Sequence, residues 1–443
     1  MKKISRRQFV ATGAAVSTLA FPHISRSIDT NSMVQHACVG SANQGGRDLA
    51  NIASHPKLQV VAICDIDTAL LDRAGNKYPD ARRYTDWREM LEKEGDKIDT
   101  VNVGTPDHMH APISISAMQR GKHVFCEKPL THQVAEARRM AEVADKQQVI
   151  TQMGNQIHSH IAYRMGVAWL QSGVIGKVKQ VHSWVGAKFP QQPAPAQPDP
   201  IPETLNWDHW IGVAPERHYN KGIYHPFNWR GWQDFGGGAI GDFGCHILDP
   251  VFTALELTAP TEITCVETEA AWKNTPARFS DSWPSHETFK YLFPGTKYTT
   301  GNTLELTWYD GGKKPPKELA PLPEGHNLAS GGSLFIGEDG VMMLPHVAGP
   351  QLLPKEKFSG TPKPDIPKHI NHYHTWIDHV LKNERTSDGF HYAGPLAESV
   401  LLGTIAVQFP DKKLLWDAEQ LAITNHAGAQ KLVDRPYRQG WEI

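Results

Sequence analysis

The sequence predicts an α/β fold whose N-terminal part is a doubly wound parallel sheet. Three observations carry this. From Met33 onward, short apolar strands alternate with helical segments, a pattern that places helices on both faces of a parallel sheet. The first strand runs into a glycine-rich loop that opens a helix. The second strand ends on an acid, Asp65. With 443 residues, 40% hydrophobic and 21% charged, the chain can bury real cores and splits into about two or three domains.

In chain order, residues 1–32 read as a signal or a disordered lead. Lys2, Lys3, Arg6 and Arg7 make a basic start, and Ser5-Arg6-Arg7-Gln8-Phe9-Val10 resembles a twin-arginine export signal. The apolar stretch Phe9–Phe21 that follows has 13 residues. That is short of the roughly 20 a membrane span needs, so it fits a signal's hydrophobic region. Strands are expected at Val34–Val39, Val60–Cys64, Asp99–Val103 and His123–Cys126. Helices are expected from Arg47 to about Ser54 and at Thr68–Lys77, Ala111–Arg120 and Gln133–Lys146. The loop after the first strand, Gly40-Ser41-Ala42-Asn43-Gln44-Gly45-Gly46, has the form G-x-A-x-x-G. Small residues at Gly40, Ala42 and Gly45 let the backbone of Asn43 and Gln44 approach a pyrophosphate at the helix N-terminus. Asp65, twenty residues after Gly45, can accept hydrogen bonds from a ribose and repel a 2′-phosphate, which favours NAD over NADP.

Composition narrows the function classes. The net charge is 45 − 47 = −2, so no basic field invites nucleic acid. No second apolar run is long enough to cross a bilayer. Five cysteines without a CxxC pair are expected as free thiols, Cys38, Cys64 and Cys126 lying in buried strands. The 13 Trp and 23 His suit a polar, ring-shaped ligand, although Trp is also ordinary core material. Four Trp (Trp207, Trp210, Trp229 and Trp232) fall within 26 residues. Trp229 and Arg230 are read as a substrate wall and a hydroxyl donor, with some of the other Trp as core. Asp242 and His246, four apart, share one face of a helix. His246 is the expected general base and Asp242 its partner or a substrate ligand; a buried structural pair at a helix start is the alternative. The spacings His108/His110, His158/His160 and His369/His372/His374 raise a metal question, since a zinc site wants three or four converging ligands with supporting hydrogen bonds behind them; no metal is expected.

Three segments together resemble the Gfo/Idh/MocA oxidoreductases, such as glucose–fructose oxidoreductase and inositol dehydrogenase. They are Gly104-Thr105-Pro106-Asp107-His108-Met109-His110, Gly121–Pro129 with its Glu127-Lys128-Pro129, and Gly241-Asp242-Phe243-Gly244-Cys245-His246. The resemblance implies a second α+β domain with an open, mostly antiparallel sheet. Strand-like runs at Lys179–Val185, Glu262–Glu267, Tyr298–Leu306 and Ser333–Ile336, and helices at Ile161–Gln171 and His369–Lys382, are compatible with it. The Pro/Gln-rich stretch 190–202 is a loop. The domains are placed at 33–152 for the dinucleotide and 153–443 for the substrate. In the family the lysine of the E-K-P motif reaches the substrate oxygen beside the nicotinamide, and that role falls on Lys128. Glu127 would shape the turn beneath the ring. Thr105, Pro106 and His110 are read as cofactor-side residues, Asn155 as lying near the nicotinamide, and His158 and Tyr163 as lying near the substrate.

The resulting expectation is an exported NAD-dependent oxidoreductase that moves hydride between a sugar, glycoside or cyclitol carbinol and a tightly bound cofactor. Its partners would be a small-molecule carbohydrate and a second copy of itself. Outside the cytoplasm no free NAD pool is expected, so the cofactor would be recycled on the enzyme or restored within one turnover. The second case is redox-assisted glycoside cleavage. A sugar-binding protein on an inactive scaffold is the non-enzymatic alternative; it predicts broken motifs, and these motifs are intact.

Overall fold

The computed structural model describes residues 33–189, 195–274 and 281–443. The twin-arginine segment and part of the Pro/Gln-rich loop lie outside them. The first domain is built from β1 (Val34–Val39), α1 (Asn43–Ala53), β2 (Leu58–Cys64), α2 (Thr68–Lys77), β3 (Arg82–Tyr84), α3 (Trp87–Glu94), β4 (Thr100–Val103), α4 (His110–Gln119), β5 (His123–Glu127), α5 (Val134–Gln147) and β6 (Thr151–Gly154). Its six strands are all parallel, in the order β3-β2-β1-β4-β5-β6. Strands β4 and β5 are buried at every residue, as a sheet covered on both faces requires. The chain reverses direction across the sheet between β1 and β4, which opens a crevice at their carboxyl ends. Helix α1 begins at Asn43, four residues before the sequence reading, so Gln44 and Gly45 belong to its first turn.

The remaining elements are α6 (Ile161–Gln171), β7 (Val178–Trp184), α7 (Trp207–Ile211), α8 (Gly238–Leu255), β8 (Glu262–Thr268), α9 (Ala270–Asn274), β9 (Glu287–Pro294), β10 (Thr303–Tyr309), β11 (Gly332–Gly337), β12 (Val341–Pro345), β13 (Gln351–Leu353), α10 (His372–Lys382), α11 (Phe390–Ala406), β14 (Lys413–Asp417), β15 (Ala422–Ile423) and α12 (Ala427–Gln430). Nine strands form one sheet, β13-β12-β11-β7-β10-β9-β8-β14-β15, antiparallel except for the β7–β10 pair. The strand expected at Tyr298–Leu306 starts at Thr303 instead. Residues before it make the β9–β10 turn, closed by the Gly295 amide on the Asn302 carbonyl.

Two helices join the domains. Helix α11 is apolar almost all round and is buried between α5 of the first domain and α8 of the second. Helix α10 packs on α1, and its Trp376, Ile377 and Val380 share a core with Val34, Leu49 and Ile52. A late segment of the chain thus closes a face of the first sheet. All five cysteines are buried and unbonded to one another.

Candidate active site

One cavity of about 450 Å³ opens at the crevice between β1 and β4 and runs under the second domain. Its nucleotide end is made by the first domain. Gly40 has φ +84°, and a Cβ there would lie 2.7 Å from the Gly104 carbonyl oxygen. A Cβ on Gly45 would lie 2.1 Å from the Gly40 carbonyl oxygen, and one on Gly104 would lie 2.4 Å from the Gly45 Cα. Three glycines therefore bring the loops after β1 and β4 and the start of α1 into direct backbone contact. Gly40, Ala42, Asn43 and Gln44 line the cavity; Gly45 does not, because its work is this close packing. Asp65, the residue after β2, stands in the cavity wall and accepts from the Ser41 amide (2.9 Å) and hydroxyl (2.8 Å). Burial pushes its pKa up, against those hydrogen bonds. Thr105 and Pro106 also line the cavity. The Thr105 hydroxyl is buried without a hydrogen-bond partner among the described residues. A glycine cradle at a helix N-terminus, an acid at the ribose position and a spare hydroxyl at the β4 end fit a dinucleotide.

The other end carries the charged cluster. Lys128 follows β5, and its ammonium donates to the Asp242 carboxylate (2.6 Å) and to the Asp242 carbonyl (2.8 Å). Two of its three protons are so used, leaving one for a ligand. Arg230 donates through Nε to the same carboxylate oxygen at 3.1 Å. Its guanidinium lies over the rings of Trp229 and Phe227, at 4.2 and 4.5 Å from their centroids. Burial would raise the Asp242 pKa, but the two cations win and hold it at about 2. Lys128 is shifted upward: burial opposes its charge, and Asp242 and Glu127 outweigh that. Behind Lys128, Glu127 and Asp48 form a buried carboxyl pair. Burial and mutual repulsion raise Glu127 well above the usual range, and burial lifts Asp48 to about 6.

His246 lies one helical turn after Asp242 on α8 and also lines the cavity. Its Nδ1 is 2.5 Å from the side-chain oxygen of Asn155, whose amide nitrogen donates to the Cys245 carbonyl at 3.1 Å. With the amide turned that way, the oxygen must accept from His246. Nδ1 therefore carries the proton and Nε2 offers the lone pair. Burial and the Lys128 charge keep the imidazole neutral, well below its ordinary pKa.

The structure thus brings Lys128, Asp242, His246, Gly40, Ala42, Asn43, Gln44, Asp65, Thr105, Pro106, Glu127, Trp229 and Arg230 around one cavity. Five other expected residues stand outside its wall. Gly45 packs against backbone. His110 is buried, with Nε2 on the Thr105 carbonyl at 2.8 Å. Asn155 is fully buried behind His246. His158 pairs with Asp249 at 2.8 Å and Ser387 at 3.0 Å, and Tyr163 bonds His346 at 2.7 Å. Position at the sheet edge told that these residues were near the site, but not which way they turn. Trp207 and Trp232 are core, each indole N–H satisfied by a backbone carbonyl.

Several wall residues were given no role by the sequence: Arg47, Asp107, Gln156, His209 and Phe227. His209, Trp210, His225, Pro226, Phe227 and Trp229 come from the second domain and roof the same cavity that Gly40 and Asp65 floor. Backbone bonds pin this roof to the first domain: the Thr68 amide to the Thr204 carbonyl (2.9 Å) and the Asn206 amide to the Ile66 carbonyl (3.0 Å). The dense aromatic run was the available signal; its reach back over the nucleotide end was not in the pattern. Among the described residues, no three His, Cys, Asp or Glu side chains gather as a metal-holding group, and no helix is long and apolar enough to cross a membrane.

A doubly wound domain whose glycine cradle leads to its own Lys128, met by Asp242 and His246 from a second domain, defines a two-domain, nicotinamide-dependent oxidoreductase. A model described as "oxidoreductase family, NAD-binding Rossmann fold" matches residues 34–155, and one described as "oxidoreductase family, C-terminal alpha/beta domain" matches residues 171–284. The chain belongs to the Gfo/Idh/MocA oxidoreductase family, and its first domain binds NAD. It is similar to a levoglucosan dehydrogenase of Pseudarthrobacter phenanthrenivorans (24% identity; 42% of this chain, 40% of the relative). It is also similar to a glycosyl hydrolase family 109 protein of Shewanella sp. strain MR-4 (28% identity; 40% and 45%) and an inositol 2-dehydrogenase of Salmonella paratyphi B (30% identity; 37% and 49%). The matches span less than half the length of these relatives. The fold is shared with the WlbA dehydrogenase of Bordetella pertussis, solved with NADH and UDP-GlcNAcA (TM-score 0.59, 16% identity, 87% and 99% covered). It is shared too with a levoglucosan dehydrogenase solved with NADH and L-sorbose (TM-score 0.53, 14% identity, 85% and 98%).

Proposed function

We propose that the protein is an exported oxidoreductase that moves hydride between a carbinol of a sugar, glycoside or cyclitol and a tightly held NAD. The carrying observation is the convergence of Lys128, Asp242, Arg230 and His246 at one end of a cavity whose other end is the dinucleotide cradle. Bound NAD supplies the hydride acceptor. The remaining work falls to the chain. The free proton of Lys128 holds the carbinol oxygen, Asp242 keeps that ammonium charged and aimed, and Nε2 of His246 takes the hydroxyl proton. The roof over the nucleotide end supports retention of the cofactor, and the twin-arginine pattern supports export of a protein folded around it.

A second reading has its own support: redox-assisted glycoside cleavage, in which hydride leaves and returns within one turnover. Relatives named as family 109 glycosyl hydrolases point to it, and a captive cofactor outside the cytoplasm would suit it. A non-catalytic sugar-binding role is disfavoured by the intact cluster. The test is to denature purified protein, assay the released nucleotide, and give the native protein a panel of free sugars and aryl glycosides. Near-stoichiometric NAD, with sugar oxidation or glycoside cleavage, is the expected result. Lys128→Ala and His246→Ala should each lower turnover by roughly 10²–10⁴-fold. Protein that arrives empty and turns over added NAD would sink the captive-cofactor reading, and full activity in either variant would sink the assignment.

A further inference from the structure

Asp107 is a carboxyl in the active-site wall to which oxidation of a carbinol assigns no task. It follows Pro106 at the end of β4, lines the same cavity as Lys128, Arg230, Asp242 and His246, and is 3% exposed. No side chain among the described residues hydrogen-bonds to it, and its polar neighbour on the second domain is the backbone of Gly237, just before α8. The nearby cations are already engaged, for Lys128 and Arg230 both donate to Asp242. A buried carboxyl without an ion-pair partner holds its proton more tightly than one in water, which moves its proton exchange up toward neutral pH. Burial lifts this one to about 7, against the pull of Arg230 and Lys128.

We propose that Asp107 is the second acid–base group of the site, taking and returning the carbon-bound proton next to the oxidised centre. This rests on the cleavage reading above. In that sequence the substrate's C3–H passes as hydride to bound NAD, and the O3 proton passes to His246, leaving a 3-ketone. The ketone acidifies C2–H. The Asp107 carboxylate takes that proton, the C1–C2 double bond forms, and the C1–O bond breaks with its electron pair going to the departing oxygen. Water then supplies a proton to the departing alkoxide and hydroxide to C1. Asp107 returns its proton to C2, and His246 returns the O3 proton as hydride returns to C3. The sum is glycoside plus water to sugar plus alcohol, with no net oxidation.

The experiment uses the NAD-loaded protein in deuterated water with two probes: an aryl glycoside that it turns over, and the corresponding 3-keto glycoside, whose C2 exchange needs no hydride step. Reduction of the bound cofactor is followed by absorbance, C2 deuterium by mass spectrometry, and the aglycone by its release. Asp107→Asn should still hold NAD and still reduce it with the glycoside. Its C2 exchange on the keto probe and its aglycone release should each fall by about 10²-fold or more. An Asp107→Asn protein that exchanges C2 at the parent rate overturns the assignment. So does one that loses cofactor reduction along with exchange, because Asp107 would then belong to the oxidation or to the fold. If the unsubstituted protein oxidises its substrates but exchanges no C2 hydrogen from either probe, the cleavage reading itself falls.

Discussion

At the scale of single residues, the clearest division of labour is between His246 and Asn155. The imidazole lines the cavity; the amide is sealed behind it and touches no ligand space. Its hold on the Cys245 carbonyl fixes which way the oxygen faces, and so which imidazole nitrogen is the base. Asn155→Asp places a carboxylate against Nδ1. That stabilises the imidazolium and raises the His246 pKa. A base works only above its pKa, so the acid limb of the rate–pH profile for cofactor reduction should move to higher pH. Asn155→Leu removes the acceptor and should slow reduction by roughly 10-fold or more, with little change in NAD content. A profile unmoved in Asn155→Asp would show that the amide only fills space. None of this was legible in the sequence. Four-residue spacing put Asp242 and His246 on one helix face, and chain position put Asn155 near the nicotinamide. Only the packing of the segment after β6 against α8 turns the Asn155 side chain onto the imidazole.

Among elements, the meeting of β1, α1 and β4 sets how closely backbone approaches the nucleotide. The G-x-A-x-x-G loop announced two of the three participants. The third, Gly104, sits in another motif, and its partnership with Gly45 is a matter of packing. Gly104→Ala would drive a methyl into the Gly45 backbone 2.4 Å away. With backbone on both sides, the helix start must shift. A loss of about 1–3 kcal/mol in unfolding free energy is expected, together with reduced NAD content after purification. Normal content at normal stability would show that the loop yields. The first domain was readable because strands buried on both faces write continuous apolar runs, and amphipathic helices write a 3.6-residue period. Strand β3 was missed because all three of its residues are exposed or half-buried, so no apolar run marks it. The second sheet was harder: its β9–β10 turn carries strand-like residues, Tyr298 and Thr299, that close a local turn with Thr296 and touch β7 only through a single bridge at Val178.

For the whole molecule, the question is what holds two domains shut over one nucleotide. One fastening lies where the chain enters the second domain: the pair His158–Asp249 ties the segment just after β6 to α8. Burial opposes charge on His158, but Asp249 prevails and lifts it to about 9. A folded-state pKa above the unfolded value of about 6.5 gives stability that is present below that value and lost as pH rises through about 9. Asp249→Asn should therefore cost about 3–5 kcal/mol at about pH 6 and less at about pH 10. The other fastening runs along the roof. Arg438 donates to the Asp208 carboxylate (2.6 Å) and to the carbonyls of Asp208 (3.0 Å) and Gly212 (2.9 Å), while its amide bonds the Val213 carbonyl. Trp441 lies under the guanidinium of Arg88 on α3, 4.2 Å from its ring centroid, and edge-on to His209 of the cavity wall. The end of the chain thereby fastens helix α7, which carries His209 and Trp210, to the nucleotide domain. Arg438→Ala removes three side-chain hydrogen bonds far from Lys128 and His246. If closure of the roof is what retains the cofactor, bound NAD in this variant should exchange with added labelled NAD at least about tenfold faster than in the parent, while its absorbance response to substrate stays intact within the loaded fraction. Exchange at the parent rate would place retention in the glycine cradle alone, and a captive cofactor would then need no roof.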